Sequence, residues 1–130
     1  MLHITSLFAA LLALLIIFLA YKVVNFRLTK KVGIGDNGDK DGIRAIRVHA
    51  NAVEYVPMII ILMGIYEVNG GSSMVLYIAG TLAVIGRAMH AFGLSKSAGT
   101  TVGRLYGTLI TWILTIALAA LNIYQFVIQV

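Results

Sequence analysis

Four long apolar runs, separated by short polar segments, constrain this chain more than any other feature of its sequence. An α-helix that crosses a bilayer needs about 20 mainly apolar residues. The predicted spans cover about residues 4–24, 45–67, 73–94 and 104–128. Because 60% of the 130 residues are hydrophobic and only 12% are charged, little is left for a separate soluble domain. We therefore expect an all-α integral membrane protein, with one four-helix transmembrane domain over residues 1–130.

The basic residues are confined to two of the three loops. Loop one, between the first two spans, carries seven of the ten lysines and arginines in itself and at its edges, and loop three with its edges carries the other three. Loop two and both termini carry none. Cytoplasmic loops are enriched in lysine and arginine. Loops one and three are therefore predicted to face the cytoplasm, with both termini outside.

Several classes of partner are disfavoured by composition. The chain has no cysteine, which excludes disulfides and thiolate metal sites. Its histidines are far apart, and the calcium-like stretch "NGDKDG" has Val48 where the closing glutamate of a calcium loop would stand. No metal is predicted. Because the basic charge follows the topology rule, no nucleic acid is predicted either. For loop one, a solvated loop is favoured over contacts with anionic lipid.

Small residues recur every fourth position into the last span. They are Gly99, Gly103, Gly107, Thr111 and Thr115. A ridge of small side chains lets helix backbones approach closely in a membrane. Packing within or between subunits is its predicted role.

A polar stripe enters the second span. Arg47, Asn51 and Glu54 stand at i, i+4 and i+7 and share one helix face. An ionisable group at the helix centre in a bilayer costs about 2.5 to 3.5 kcal/mol, so it usually faces a partner or a watery cavity. Two interpretations stay open at this point: a structural contact between helices, or a ligand site.

The third span adds Arg87 and His90, which are three residues apart and share a face. The structural alternatives are an arginine that extends to the interface and a hydrogen-bonded histidine. Together the polar residues suggest a pocket near the cytoplasmic face. It would hold Arg44, Arg47, Asn51, Glu54, Tyr55, Arg87 and Arg104. Arginines suit carboxylates and a glutamate suits an ammonium, which is the charge pattern of the tripeptide thiol glutathione.

The same residues carry a resemblance to a known family. The stretches "RVHANAVEYVP" and "GRAMHAFGL" resemble the MAPEG family, the membrane-associated proteins of eicosanoid and glutathione metabolism, and its small bacterial members above all. The resemblance covers nearly the whole chain and implies a homotrimer in a bacterial inner membrane. Glutathione would bind between neighbouring subunits near the cytoplasmic face.

The resemblance also implies roles for individual residues. Arg47, Asn51, Glu54 and Tyr55 match the motif that contacts glutathione, and Arg87 and His90 are added to the predicted binding site. Arg104 stands near the position of the arginine that stabilises the thiolate in catalytic members, and is the predicted catalytic residue. His90 and Leu94 replace tyrosines that some eukaryotic members carry.

The predicted function is a membrane glutathione transferase or peroxidase. Glutathione would be its co-substrate, and a lipophilic electrophile or hydroperoxide drawn from the bilayer its second substrate. Membrane lipids and further copies of the chain are the other predicted partners. A noncatalytic lipid-binding or scaffold protein of the same fold is the main alternative, and a small proton-coupled multidrug transporter is a weaker one.

Overall fold

The computed structural model describes residues 1–96, 99 and 101–129. Within this part the chain forms four α-helices: α1 (His3–Lys30), α2 (Lys40–Val68), α3 (Ser73–Lys96) and α4 (Val102–Gln129). Each is long and apolar enough to cross a membrane, and each contains one of the predicted spans. The prediction of an all-α membrane protein with four spanning helices is confirmed.

The helices alternate in direction. Both α2 and α3 pack against each of the other three helices, α1 packs against α2 and α3, and the most extensive contact is between α3 and α4. Loops one and three consequently lie at one end of the bundle, and loop two lies with the N-terminus at the other. Fully buried apolar side chains from all four helices fill the centre. They include Leu12, Ile59, Met63, Leu76 and Leu118.

Glycines let α3 and α4 approach closely. A β-carbon added at Gly107 would lie 2.6 Å from the carbonyl oxygen of Gly86 and 2.6 Å from the nitrogen of His90. One added at Gly93 would lie 2.5 Å from the nitrogen of Arg104. Backbone cannot yield as a flexible side chain can, so only glycine fits these positions. This part of the small-residue ridge packs two helices of one chain together, as predicted.

The aspartates of loop one shape the turn into α2. Asp39 is the N-cap of that helix, and its carboxylate accepts hydrogen bonds from the N–H groups of Asp41 (2.8 Å) and Gly42 (3.3 Å). Lys30, the last residue of α1, lies 3.2 Å from the same carboxylate. Asp39 therefore joins the end of one helix to the start of the next.

The N-terminus of α1 is capped by a side chain from α2. Leu2 precedes the helix and provides no side-chain cap. The carboxylate of Glu67 instead accepts hydrogen bonds from the N–H groups of Ile4 (2.9 Å) and Thr5 (2.7 Å). Negative charge at a helix N-terminus is stabilising. Glu67 thus connects the start of α1 to the end of α2.

We expect Glu67→Ala to lower the free energy of unfolding by about 1 to 2 kcal/mol, because two helix N–H groups lose their acceptor. The measurement is thermal unfolding in detergent micelles. Val68→Ala is the control, since that neighbouring side chain is exposed. Equal losses in the two variants would contradict a capping role.

The charge of Asp39 should make the stability of the folded chain depend on pH. The hydrogen bond from the Asp41 N–H, then that from Lys30, hold the pKa of Asp39 below its ordinary value of 3.8. A carboxyl whose pKa is lower in the folded state stabilises that state above the unfolded pKa and loses this effect as pH falls through the folded pKa. Asp39→Ala should therefore unfold at lower temperature than the native chain at pH 7. The gap should narrow as pH falls below 3.8, and a constant gap would contradict the assignment.

Candidate functional site

A polar cavity of about 220 Å³ lies between α2, α3 and α4 at the loop-one end of the bundle. Its lining consists of Ile43, Arg44, Arg47, Asn51, His90, Leu94 and Arg104. Five of these residues belong to the predicted pocket or the predicted binding site. The structure thus brings together, around one space, side chains that are separated by up to 60 positions in the chain.

Helical spacing and the glycine contacts explain this convergence. Residues 44, 47 and 51 succeed one another at about one-turn intervals on α2, and residues 90 and 94 do so on α3. The close approach at Gly93 brings the first turn of α4, and with it Arg104, against α3. The backbone N–H of Arg104 donates to Thr101 Oγ1 at 3.2 Å, and its Nη1 to the Gly99 carbonyl at 3.4 Å.

Arg87 lies behind the cavity and connects the helices around it. Its side chain is 1% exposed and does not line the cavity. The Nη2 group donates to Asn51 Oδ1 on α2 at 2.5 Å, and Nη1 donates to Thr111 Oγ1 on α4 at 3.4 Å. One guanidinium on α3 therefore bonds to both α2 and α4 through two different nitrogens, which a lysine ammonium with its single nitrogen would not reproduce.

The contact between Arg87 and His90 constrains the histidine ring. Arg87 Nη2 lies 3.4 Å from His90 Nδ1. Because a guanidinium can only donate, a hydrogen bond at this contact requires Nδ1 to be the acceptor. A neutral His90 then has its proton on Nε2. This side chain is 3% exposed and reaches the cavity, so it offers the cavity a ring of defined orientation.

The charges around Arg87 are unusual for a membrane interior. The hydrogen bonds and ring contact of its guanidinium are with uncharged groups, namely an amide, a hydroxyl, an imidazole and the Tyr55 ring, whose centroid is 5.5 Å away. The Glu54 carboxylate acts on it electrostatically without an ion-pair contact among the described residues. Its Nε is buried without a hydrogen-bond partner among the described residues. With three further arginines at the cavity, this end of the bundle has a concentrated positive charge that favours an anion.

Glu54 and Tyr55 lie on the other side of Arg87 and do not line the cavity. They line a second groove, of about 360 Å³, between α2 and α4. Met58, Trp112, Thr115 and Ile116 complete its wall. The Trp112 Nε1–H donates to the Tyr55 hydroxyl at 3.2 Å. The single pocket expected from the sequence is therefore divided in this chain into a basic cavity and a mainly apolar groove, with Arg87 between them.

Two residues of this arrangement were not identified from the sequence as parts of the site. Thr111 was assigned to the small-residue ridge and Trp112 was given no part in the site, yet Thr111 accepts a hydrogen bond from Arg87 and Trp112 donates one to the Tyr55 hydroxyl. Their helical spacing matches packing equally well. Only the position of α4 against α2 and α3 reveals these contacts.

Comparison with known proteins decides the family. The MAPEG family model matches residues 5–124. The chain belongs to the MAPEG family. Its relatives include the inner membrane protein YecN of Escherichia coli strain K12 and that of E. coli O6:H1 strain CFT073. Each is 40% identical over 90 residues, which is 69% of this chain and 69% of the relative.

The family match bears on the whole candidate site. Every residue that lines the cavity or the groove falls within the matched residues of this MAPEG chain. The resemblance that "RVHANAVEYVP" and "GRAMHAFGL" carry is thereby confirmed. The name of YecN states a location in the inner membrane and gives no activity.

Thr111→Val tests the bridge made by Arg87. The substitution removes the acceptor on α4 and leaves a buried guanidinium N–H unpaired, which costs about 1 to 3 kcal/mol. We expect the free energy of unfolding in detergent to fall by that order. Thr108→Val is the matched control, because the Thr108 hydroxyl also donates to the carbonyl one turn earlier, at 2.9 Å. Indistinguishable losses would show that the contact with Arg87 contributes nothing.

Proposed function

We propose that this MAPEG protein binds glutathione and activates its thiol for attack on lipophilic electrophiles or hydroperoxides. The observation that carries the proposal is the basic cavity, where Arg44, Arg47 and Arg104 meet and where the described lining contains no carboxylate. Glutathione has two carboxylates, which guanidinium groups bind with paired hydrogen bonds. The MAPEG family includes glutathione transferases, and this membership also supports the proposal that the chain binds glutathione.

The thiol is the group that needs activation. A thiol of the cysteine type has a pKa of about 8.5, so little of it is thiolate at neutral pH, and a neighbouring cation lowers that value. Arg104 is the proposed partner of the sulfur. It stands in the first turn of α4, at the cavity, where its guanidinium would stabilise the thiolate without itself reacting.

The reaction then needs no covalent enzyme intermediate. With an electrophile, the thiolate forms a carbon–sulfur bond, and the leaving group departs with the bonding electrons. With a hydroperoxide, two glutathione molecules are oxidised to their disulfide while the hydroperoxide is reduced to an alcohol and water. The groove between α2 and α4, with Met58, Trp112 and Ile116, offers the second substrate an apolar path from the bilayer.

An exposed carboxylate supports a role for neighbouring subunits. Arg47 and Glu54 are both exposed on one face of α2, within a segment apolar enough to span a membrane. Exposing such groups to lipid is costly. We propose that glutathione and a second copy of the chain cover this face in a homotrimer. Glu54 would bind the glutathione ammonium, and Asn51, Tyr55, Arg87 and His90 would shape the site.

The proposed orientation follows from the same charges. The cavity lies at the end of the bundle that carries loops one and three, where the basic residues are. With those loops in the cytoplasm, the cavity opens towards the compartment in which a soluble tripeptide would be supplied. A location in the inner membrane is supported by the name of YecN.

Glutathione titration tests the proposal. We expect ultraviolet difference spectra of the purified protein at neutral pH to show thiolate absorption on addition of glutathione. Arg104→Ala should lose that signal while calorimetry still detects binding of glutathione. Arg47→Ala should weaken glutathione binding by about tenfold or more, because a hydrogen bond to a charged group contributes about 1.5 to 3 kcal/mol. Arg27→Ala is the matched control, because it removes the same charge from a residue that does not line the cavity.

The outcomes separate enzyme from noncatalytic protein. Binding without thiolate in the native chain would indicate a noncatalytic glutathione-binding member. The absence of binding in the native chain would overturn the proposal and favour the scaffold or lipid-binding alternative. Proton-driven drug flux in proteoliposomes that is lost in Glu54→Gln would support the transporter alternative, which family membership does not favour.

A further inference from the structure

A second cavity at the loop-one end of the bundle is not used by the proposed function. It has a volume of about 380 Å³ and lies where the end of α1 meets the start of α2 and the end of α3. Its polar lining includes Lys22, Asn25, Thr29, Lys30, Arg44 and Ser95. It shares one residue, Arg44, with the basic cavity.

The lining of this second cavity is rich in hydrogen-bond donors and positive charge. Residues 22, 25, 29 and 30 follow helical spacing and place two ammonium groups, an amide and a hydroxyl on one face of α1. The lining has three cations against one carboxylate, Asp41, which pairs with Arg44. Lys30 also pairs with Asp39 outside the lining. A net positive charge remains after both pairs are counted.

The cavity adjoins a surface that an acyl chain would cover. Directly before it, α1 exposes a row of apolar side chains that includes Leu14, Ile17 and Phe18, each more than half exposed. The Nζ of Lys22 lies 6.0 Å from the centre of the Phe18 ring, so its charge lies next to this apolar surface. Cations beside an apolar surface, at the end of a membrane-spanning segment, match a molecule with an anionic head and apolar tails.

We propose that this second cavity binds the phosphate of an anionic glycerophospholipid whose acyl chains lie along the exposed face of α1. Lys22 and Lys30 bind the phosphodiester, and Asn25 and Thr29 donate further hydrogen bonds to the head group. The sequence alone favoured a solvated loop, because it does not show that Lys22 on the helix, Lys30 at its end and Arg44 on α2 line one space. Lys22 and Lys30, on which the lipid site depends, do not line the basic cavity, although Arg44 is common to both.

The test compares two lipids with identical acyl chains. The purified protein in nonionic detergent is titrated with phosphatidylglycerol or phosphatidylcholine, and apparent affinity is read from the rise in unfolding temperature. We expect tighter binding of phosphatidylglycerol. A basic residue near anionic lipid contributes about fivefold in affinity, so Lys22→Gln should weaken binding about fivefold and the double variant Lys22→Gln/Lys30→Gln about 25-fold.

Control variants distinguish a defined lipid-binding site from a general attraction of anionic lipid to positive charge. Lys40→Gln removes the same charge from an exposed residue at the start of α2, outside the lining, and should keep the affinity for phosphatidylglycerol. Lys22→Arg keeps the charge inside the lining and should bind as tightly as the native chain. Three results would each overturn the proposal. They are equal affinity for phosphatidylglycerol and phosphatidylcholine, the same loss of affinity in Lys40→Gln as in Lys22→Gln, and binding of glycerol phosphate as tight as that of phosphatidylglycerol. Because neither lysine lines the basic cavity, the thiolate titration should be unchanged in these variants.

Discussion

The interaction on which the site depends is the hydrogen bonding of one buried guanidinium. Arg87 is 1% exposed, yet it bonds to Asn51 on α2 and Thr111 on α4 while its own backbone belongs to α3. In an apolar interior such a group costs free energy unless its donors are satisfied. Nη1 and Nη2 reach their acceptors on α4 and α2 only while the three helices keep this mutual arrangement, and Nε has no partner among the described residues. Arg87 thus specifies the positions of the helices that carry the cavity.

Close backbone contact makes that arrangement possible. The hydrophobic effect does not hold helices together within a bilayer, so van der Waals packing between small residues and interhelical hydrogen bonds do so. Where Gly86 and Gly93 meet the glycines of α4, the two backbones come so near that a side chain would collide. The same contact brings His90 and Arg104 to one space. Packing and the candidate chemistry therefore depend on the same glycines.

The charged residues differ between the two ends of the helix bundle. At the loop-one end, arginines and lysines line two cavities, one suited to a soluble anion and one beside an apolar surface suited to lipid. At the opposite end, the main charged contact is the carboxylate of Glu67, which caps α1. Exposed Glu54 lies between these ends and is costly to leave against lipid. This cost is the physical reason to expect a ligand and a neighbouring subunit there.

The sequence by itself determined the fold class, the four spans and the polar stripe on α2, because apolar length and helical spacing are local properties of a chain. It also indicated the MAPEG family through Arg47, Asn51 and the residues that follow them. Only the tertiary structure decided that Arg87 lies behind the cavity and not at its wall, that Glu54 faces a separate groove, and that Thr111 and Trp112 hold site residues in place. Those facts depend on how closely α4 packs against α2 and α3. That distance arises from contacts between residues remote in the chain, which no local pattern encodes.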